Sequence, residues 1–285
     1  MSLLKLYKCM KLLNVQHPDI ASREIDTFCR NNIDMHNFFK NDPVQVGGGS
    51  IIMKIKGTKF NFYKVDFGNS VTYNLHKDNN EQESECIIIM VDKENKVANI
   101  HNLSYDDKCF TENNVKHIVK SGSSLLAIAI YFVHKIKKHY KITKVEVTDN
   151  ATKICNENHK PIRIWIMSTL KYGDTWYGKF GFIPKYGDEK NDYIENKKLM
   201  KNLLVKDTNI MNIIEEYSKK LGYDDMYKNI KKMNDDFKNE KVTTFISSFL
   251  NKFDETCELF SEICNKIVKD IGLNNMFRIS YVMEF

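Results

Sequence analysis

The first residues whose types and spacing allow chemistry form a turn of small side chains, Lys120-Ser121-Gly122-Ser123-Ser124, which opens directly into the apolar run starting at Leu125. Successive backbone N–H groups at a helix N-terminus carry partial positive charge and can hold a pyrophosphate. Gly122 permits close approach there, and Ser123 and Ser124 leave room. An ordinary capped helix start reads the same way. The second stretch is Thr175-Trp176-Tyr177-Gly178-Lys179-Phe180-Gly181-Phe182-Ile183-Pro184, where a phenol sits among glycines and aromatic rings. Trp165 and Trp176 read most simply as core or pocket-wall residues. Elsewhere the reactive side chains are scattered. The eight histidines form no H-x-x-x-H or H-E-x-x-H grouping, and neither G-x-S-x-G nor a P-loop is present. No metal site is expected.

Those two stretches need a scaffold. Ile20, Ile25, Phe28, Ile33 and Phe38 recur at roughly helical intervals, which predicts a helix from Ile20 to Phe39. After Pro43 and Gly47-Gly48-Gly49, runs at Ile51 to Ile55, Lys59 to Phe67 and Val71 to Leu75 read as an antiparallel meander. A loop from Lys77 to Glu85 precedes a hairpin of Cys86 to Val91 and Lys96 to Tyr105 around the turn Asp92 to Asn95. The apolar helix from Leu125 to about Tyr140 carries a basic end, where the macrodipole is negative. A buried strand, Ile142 to Val147, ends in Thr148-Asp149-Asn150, and a polar excursion leads to a second helix from Ile162 to about Leu170. This order of strand, helix, strand and helix points to an α/β domain with parallel neighbours.

From Asp188 to Gly272 the apolar residues keep a period near 3.6, with Phe249, Phe253, Phe260, Cys264, Ile267 and Ile271 on one helical stripe that Gly272 ends. Phe277, Ile279, Tyr281, Met283 and Phe285 then alternate with other residues, the period of a half-buried strand that completes the sheet.

A chain of 285 residues is long enough for one large domain or two small ones, so a core forms without staples. The net charge of +6 suits an anionic cofactor without demanding nucleic acid. Seven cysteines, at 9, 29, 86, 109, 155, 257 and 264, form an odd set with no C-x-x-C pair, which argues for a reducing compartment and against a disulfide framework. No apolar run reaches the roughly 18 residues that span a bilayer. The opening MSLLKLYKCMKLL is interrupted by lysines and lacks a small-residue cleavage site. The expectation is a soluble cytoplasmic protein with no membrane partner.

Tyr177 lies four residues before Gly181-Phe182, a spacing that resembles the GNAT superfamily of N-acetyltransferases, whose fourth helix commonly ends in a tyrosine so placed before the next strand. In the same alignment Val97 to Tyr105 resembles the family's fourth strand, Ser121 to Leu125 its pyrophosphate loop and Ile142 to Val147 its fifth strand. The resemblance covers about residues 86 to 185 and the last strand. It departs at the loop, where Val119 stands in place of glutamine or arginine and Ser124 in place of glycine or alanine, and in the ten or so extra residues after Ala151.

The resemblance implies a mixed central sheet of GNAT type, formed by residues 1–187 and completed by 273–285, with 188–272 inserted as a helical subdomain. It implies acetyl-coenzyme A, or another acyl-coenzyme A, as cofactor, held by Asn102, Leu103, Ser104, Ser121, Gly122, Ser123, Ser124, Leu125, Asn150 and Tyr177. A primary amine of an amino sugar, polyamine, small metabolite or protein would attack the thioester. Tyr177 would protonate the leaving thiolate, and a backbone N–H near Leu103 would polarise the carbonyl. The base stays open among His101, Asp106 and Glu146, with His101 placed first. The insert would shape acceptor choice, or else brace the sheet or mediate self-association. Two other classes stand beside this reading: a catalytically silent binding protein on the same fold, suggested by the altered loop, and a nucleic-acid-binding protein, suggested by net charge alone.

Overall fold

The computed structural model describes residues 49–55, 58–76, 85–104, 122–154, 161–223, 237–252 and 256–285. The expected helix from Ile20 to Phe39 lies outside them, as does nearly all of the loop from Lys77 to Glu85.

Alternating apolar side chains build the first strands. β1 (Ser50–Ile55), β2 (Thr58–Asp66) and β3 (Ser70–His76) pair antiparallel in succession, the expected meander. The turn between β2 and β3 needs Gly68, whose φ of 78° is left-handed, and Asp66 Oδ1 accepts the Gly68 N–H at 3.0 Å. β4 (Glu85–Asp92) and β5 (Val97–Leu103) form the expected hairpin, its turn closed by the Asp92 carboxylate accepting from the Asn95 N–H at 2.8 Å. Phe60, Phe62, Val71, Tyr73, Leu75, Ile87, Ile89 and Val91 are all buried.

The long helix α1 (Gly122–Tyr140) packs on β4 and β5. From Ser124 to Val133 every residue is buried, so this is a helix covered on all faces, as its unbroken apolar run requires. Phe132 stacks on Phe62 with ring centroids 3.9 Å apart and meets Tyr73 edge-on at 5.0 Å. The Tyr73 and Tyr140 hydroxyls share a hydrogen bond of 2.6 Å, which gives the buried Tyr73 phenol its polar partner. Next, β6 (Lys144–Thr148) pairs parallel with β5, as the strand, helix, strand order predicts.

A two-residue pair, β7 (Thr152–Lys153) and β8 (Ile162–Arg163), leads into α2 (Ile164–Tyr172). Gly173 ends α2 with φ 73° and donates its N–H to the Thr169 carbonyl at 2.8 Å. After a 3-10 turn (Gly178–Phe180) come β9 (Ile183–Pro184), α3 (Gly187–Asn202), α4 (Ile210–Lys220), α5 (Val242–Lys252), α6 (Thr256–Ile271) and β10 (Ser280–Glu284). The sheet has eight strands in the order β1-β2-β3-β4-β5-β6-β10-β9. It is mixed, and the fold is α/β. The last strand completes it, as expected, but from the interior and not from an edge.

Three expectations change. The apolar stripe does not lie on one helix: Phe249 is on α5 and Phe260, Cys264 and Ile267 are on α6, all buried, while Phe253 lies outside the described residues. Gly272, φ 79°, does end α6, its N–H donating to the Val268 carbonyl. The terminal strand is not half-buried, because Tyr281, Val282 and Met283 are consecutive buried residues in a strand paired on both sides. Nor are the cysteines all free: Cys86 and Cys257 are each disulfide-bonded, and Cys264 is a buried thiol. Sequence spacing carries no trace of pairings that only tertiary folding creates.

The chain divides into two compact units, one comprising residues through Thr148 with Lys179–Phe182 and Tyr281–Phe285, the other Asp149–Gly178 with Ile183–Ser280. The helices of 188–272 therefore share a unit with α2. Within it α5 and α3 pack against α2, and α6 packs against α2, α4 and α5. Truncating Phe249 to alanine opens a cavity in this packing and is expected to cost about 3–5 kcal/mol by urea denaturation. A change under about 1 kcal/mol would place this ring outside the core.

Candidate functional site

Two sets of groups stand out, one in each unit. In the first unit the parallel strands β5 and β6 pair from Val97 and Lys144 to Ile100 and Val147, and no further. β5 continues, held on its other side by β4 through Ile88 opposite Asn102 and Ile87 opposite Leu103. The register shifts between Ile88 and Ile89, so His101 is an extra residue, a bulge, at the point where β6 parts company. His101 is exposed.

Beyond the bulge the backbone alternates. Ser104 donates its N–H to the Cys86 carbonyl at 3.0 Å, so the N–H and C=O of Leu103 point to the opposite edge, where pairing with β6 has ended. The Asn102 side chain is already engaged, donating from Nδ2 to the Glu85 carbonyl at 3.2 Å.

In the same unit, Gly122 is the first residue of α1 and Ser123 the second, both half-buried. Ser124 and Leu125 are buried, which leaves Leu125 with a core side chain. No acidic residue occupies the first turn, so nothing there competes with an anion for the N–H groups. Ser121 and Asp106 lie outside the described residues. Glu146 takes part in an ion pair with Lys144 at 2.9 Å.

In the second unit, Tyr177 does not end a helix. α2 stops at Tyr172, and Tyr177 lies in the turn that follows, just ahead of the 3-10 turn. The strand expected to begin at Gly181-Phe182 is β9, starting at Ile183, after Gly181 with φ 86°. Tyr177 is buried, its ring edge-on to Trp176 at 4.8 Å. Burial, and then the charge of Asp149, hold its hydroxyl above the ordinary phenol range.

The turn is anchored by Asp174. This buried carboxylate accepts from the Thr175 N–H at 2.8 Å, the Tyr193 hydroxyl at 2.8 Å and the Lys197 ammonium at 2.7 Å. Gly178 packs so closely on it that a Cβ would collide with the Asp174 carboxylate and the Tyr193 hydroxyl, which accounts for glycine at this position.

Asp149 is the residue that sequence reasoning missed as a site residue. It is fully buried, at 0 % exposure, and no described side chain pairs with it. Oδ1 accepts the Ala151 N–H at 3.1 Å, while Oδ2 has no partner among the described residues. Its backbone is held twice, donating to the Ile279 carbonyl at 3.0 Å and accepting from the Arg278 N–H at 2.8 Å. Burial pushes its carboxyl up to about 7 against the opposing pull of the Ala151 hydrogen bond. The signal available in sequence was an acidic residue directly after a buried parallel strand, where α/β sheets place their ligands. Asn150, its neighbour, is exposed.

Among the described residues no three His, Cys, Asp or Glu side chains cluster as metal ligands, and no helix is long and apolar enough to cross a membrane. No family model, curated protein or solved structure matches the chain.

The Asp149 carboxyl gives stability a pH dependence of unusual sign. Its folded pKa near 7 lies above the ordinary 3.8, so the folded chain binds the proton more tightly, and stability falls as pH rises between those values. From pH 5 to pH 8 this one group is expected to remove on the order of 3 kcal/mol. Asp149→Asn should flatten that part of the slope in urea denaturation at the two pH values. Equal slopes for both proteins would mean that Asp149 titrates normally.

Proposed function

We propose that the chain is an acyl-coenzyme A-dependent N-acyltransferase that transfers an acyl group, acetyl in the first instance, to a primary amine. The observation that supports the reading is the parting of β5 from β6 beyond Ile100 and Val147, with the Leu103 N–H turned to that edge and without a strand partner among the described residues. The pantetheine arm of coenzyme A is an extended chain with two amides, and such a chain adds to a strand edge by main-chain hydrogen bonds. The Leu103 N–H is then the donor for the thioester carbonyl as it becomes an oxyanion. The pyrophosphate goes to the start of α1, whose first turn itself carries no acidic residue. Tyr177 keeps the role that the resemblance implies, donor of a proton to the departing thiolate.

Stabilisation by the cofactor tests the reading directly. Acetyl-coenzyme A at a hundredfold excess over its Kd should raise Tm by about 5 °C or more. In Gly122→Val the β-branched side chain blocks approach to the helix start, and Kd should rise about tenfold or more, with the unliganded Tm little changed. Absence of any shift with acetyl-coenzyme A or coenzyme A would remove the enzyme reading and leave a fold-only binding protein.

Leu103→Pro tests the carrying observation itself. Leu103 does not use its N–H in the β4 ladder, so proline deletes the donor while the hairpin stands. Turnover should fall about 100- to 1000-fold with cofactor affinity retained. Wild-type turnover in the folded variant would remove Leu103 from the site.

A further inference from the structure

The chain draws nearly all of its positive charge from lysine. Of its 43 basic residues four are arginine, namely Arg23, Arg30, Arg163 and Arg278, and the last two are the arginines of the described residues. Both lie against one ring. The Arg163 guanidinium carbon stands 4.4 Å from the Phe277 centroid and that of Arg278 stands 5.4 Å from it, so the two cations are no farther apart than those distances combined. Neither pairs with a carboxylate among the described residues. Glu195, an acid that engages the same loop, accepts instead from Asn274 Nδ2 at 3.2 Å. A lysine-rich chain that brings arginine twice to one ring uses more than charge: guanidinium offers parallel N–H donors in a plane, and ammonium does not. The ring takes the guanidinium face and leaves those N–H edges to a ligand.

Backbone contacts within the second unit fix this placement. Arg163 pairs with Thr152 in β8 and is the N-cap of α2, whose first turn carries no acidic residue, so the positive helix end adds to the two cations. Phe277 and Arg278 end a loop that the Asn196 side chain brackets, donating to the Asn274 carbonyl at 2.9 Å and accepting its N–H at 2.8 Å. Asn275 Oδ1 accepts the Phe277 N–H at 3.2 Å, and Arg278 donates its own to the Asp149 carbonyl at 2.8 Å. Arg278 has a φ of 64°. Glycine takes this left-handed backbone without strain, so the position holds an arginine side chain against the easier backbone fit.

We propose that Arg163 and Arg278 form an anion site across Phe277 that binds the phosphate group of a small molecule, an inference independent of the acyl-transfer reading. Two guanidiniums carry two positive charges, which a phosphate dianion matches and a single carboxylate leaves half unmatched. Each fork meets two phosphate oxygens through parallel N–H donors. The bound anion also offsets the repulsion between two like charges held at one ring.

The test titrates the full chain calorimetrically with inorganic phosphate and, separately, acetate, at about pH 7.5 and about 0.1 M sodium chloride. Phosphate should bind at one site with a Kd of about 1 mM or below, and acetate about tenfold more weakly. Arg163→Gln and Arg278→Gln should each raise the phosphate Kd about tenfold or more, and Arg278→Lys, which keeps the charge and loses the fork, should recover only part of that loss. Arg278→Gly keeps the measurement clear of misfolding: glycine suits φ 64°, so its Tm should match or exceed the wild-type value while phosphate affinity falls as in Arg278→Gln. Gly122→Val should leave this binding in place. Wild-type phosphate affinity in Arg278→Gly, or no phosphate binding by the wild-type chain, overturns the site and leaves the two arginines as a structural stack. Binding lost in Gly122→Val and kept in the arginine variants moves the phosphate to the start of α1 and overturns the site as well, and equal affinity for acetate overturns the choice of phosphate. Acetyl-coenzyme A identifies the source: a thermal shift lost in the Arg163→Gln, Arg278→Gln double variant puts the phosphate on the cofactor, and a shift retained puts it on a different ligand. A wild-type chain that binds phosphate here and is not stabilised by acetyl-coenzyme A removes the acyltransferase reading and leaves this site standing.

Discussion

The parallel pairing of β5 with β6 is the constraint from which the rest of the first unit follows. Parallel neighbours cannot be joined by a tight turn, so the chain must leave the sheet after β5 and return to the same end. α1 makes that return, and it stays in place because its apolar surface has nowhere to go but against β4 and β5, with Phe132 stacked on Phe62. Once the pair is set, its short length matters more than its existence. Four residues of β5 match β6, from Val97 to Ile100, and the strand then runs on, past a bulge at His101, supported from one side among the described residues. A strand with one satisfied edge is a template for another extended chain.

The second unit solves a different problem, that of holding a loop in place. The turn bearing Tyr177 has no strand partner of its own before Ile183, and its order comes from Asp174 and from the contact of Gly178 with that carboxylate. Tyr193 and Lys197, which complete the Asp174 cluster, belong to α3, in the segment expected to be an insertion. A buried carboxylate bound by an N–H, a phenol and an ammonium is well satisfied, which makes it a firm anchor. The helical segment therefore braces the Tyr177 turn.

Asp149 and Asp174 show how environment separates two like residues. Both are buried, and one is paired with a cation and two further donors while the other has one backbone donor and an empty oxygen. The first is a structural anchor. The second is a group whose charge the fold resists, and that resistance sets its proton affinity near neutrality. An unsatisfied buried acid lowers stability at alkaline pH.

The sequence by itself determined the periodic elements. Strand-like runs bounded by turn residues revealed β1 to β5, the unbroken apolar run revealed α1, and Gly272 marked the end of α6, because turn chemistry and helix capping are written locally. It also singled out the start of α1 and the Tyr177 run, since glycine and small residues at a helix entry have a local meaning. What sequence could not hold was anything decided by partners far along the chain. Nothing local distinguishes Asp149, exposed in prospect as the polar end of a strand, from an ordinary turn aspartate. Its burial comes from backbone contacts with Arg278 and Ile279, nearly half the chain away. The same holds for β10, whose consecutive buried residues reflect strands on both its sides, and for the stripe divided between α5 and α6. Only the tertiary structure decided that β5 outruns β6, because the end of a strand pair depends on where the neighbouring chain turns away, and that is a property of two segments and not of one.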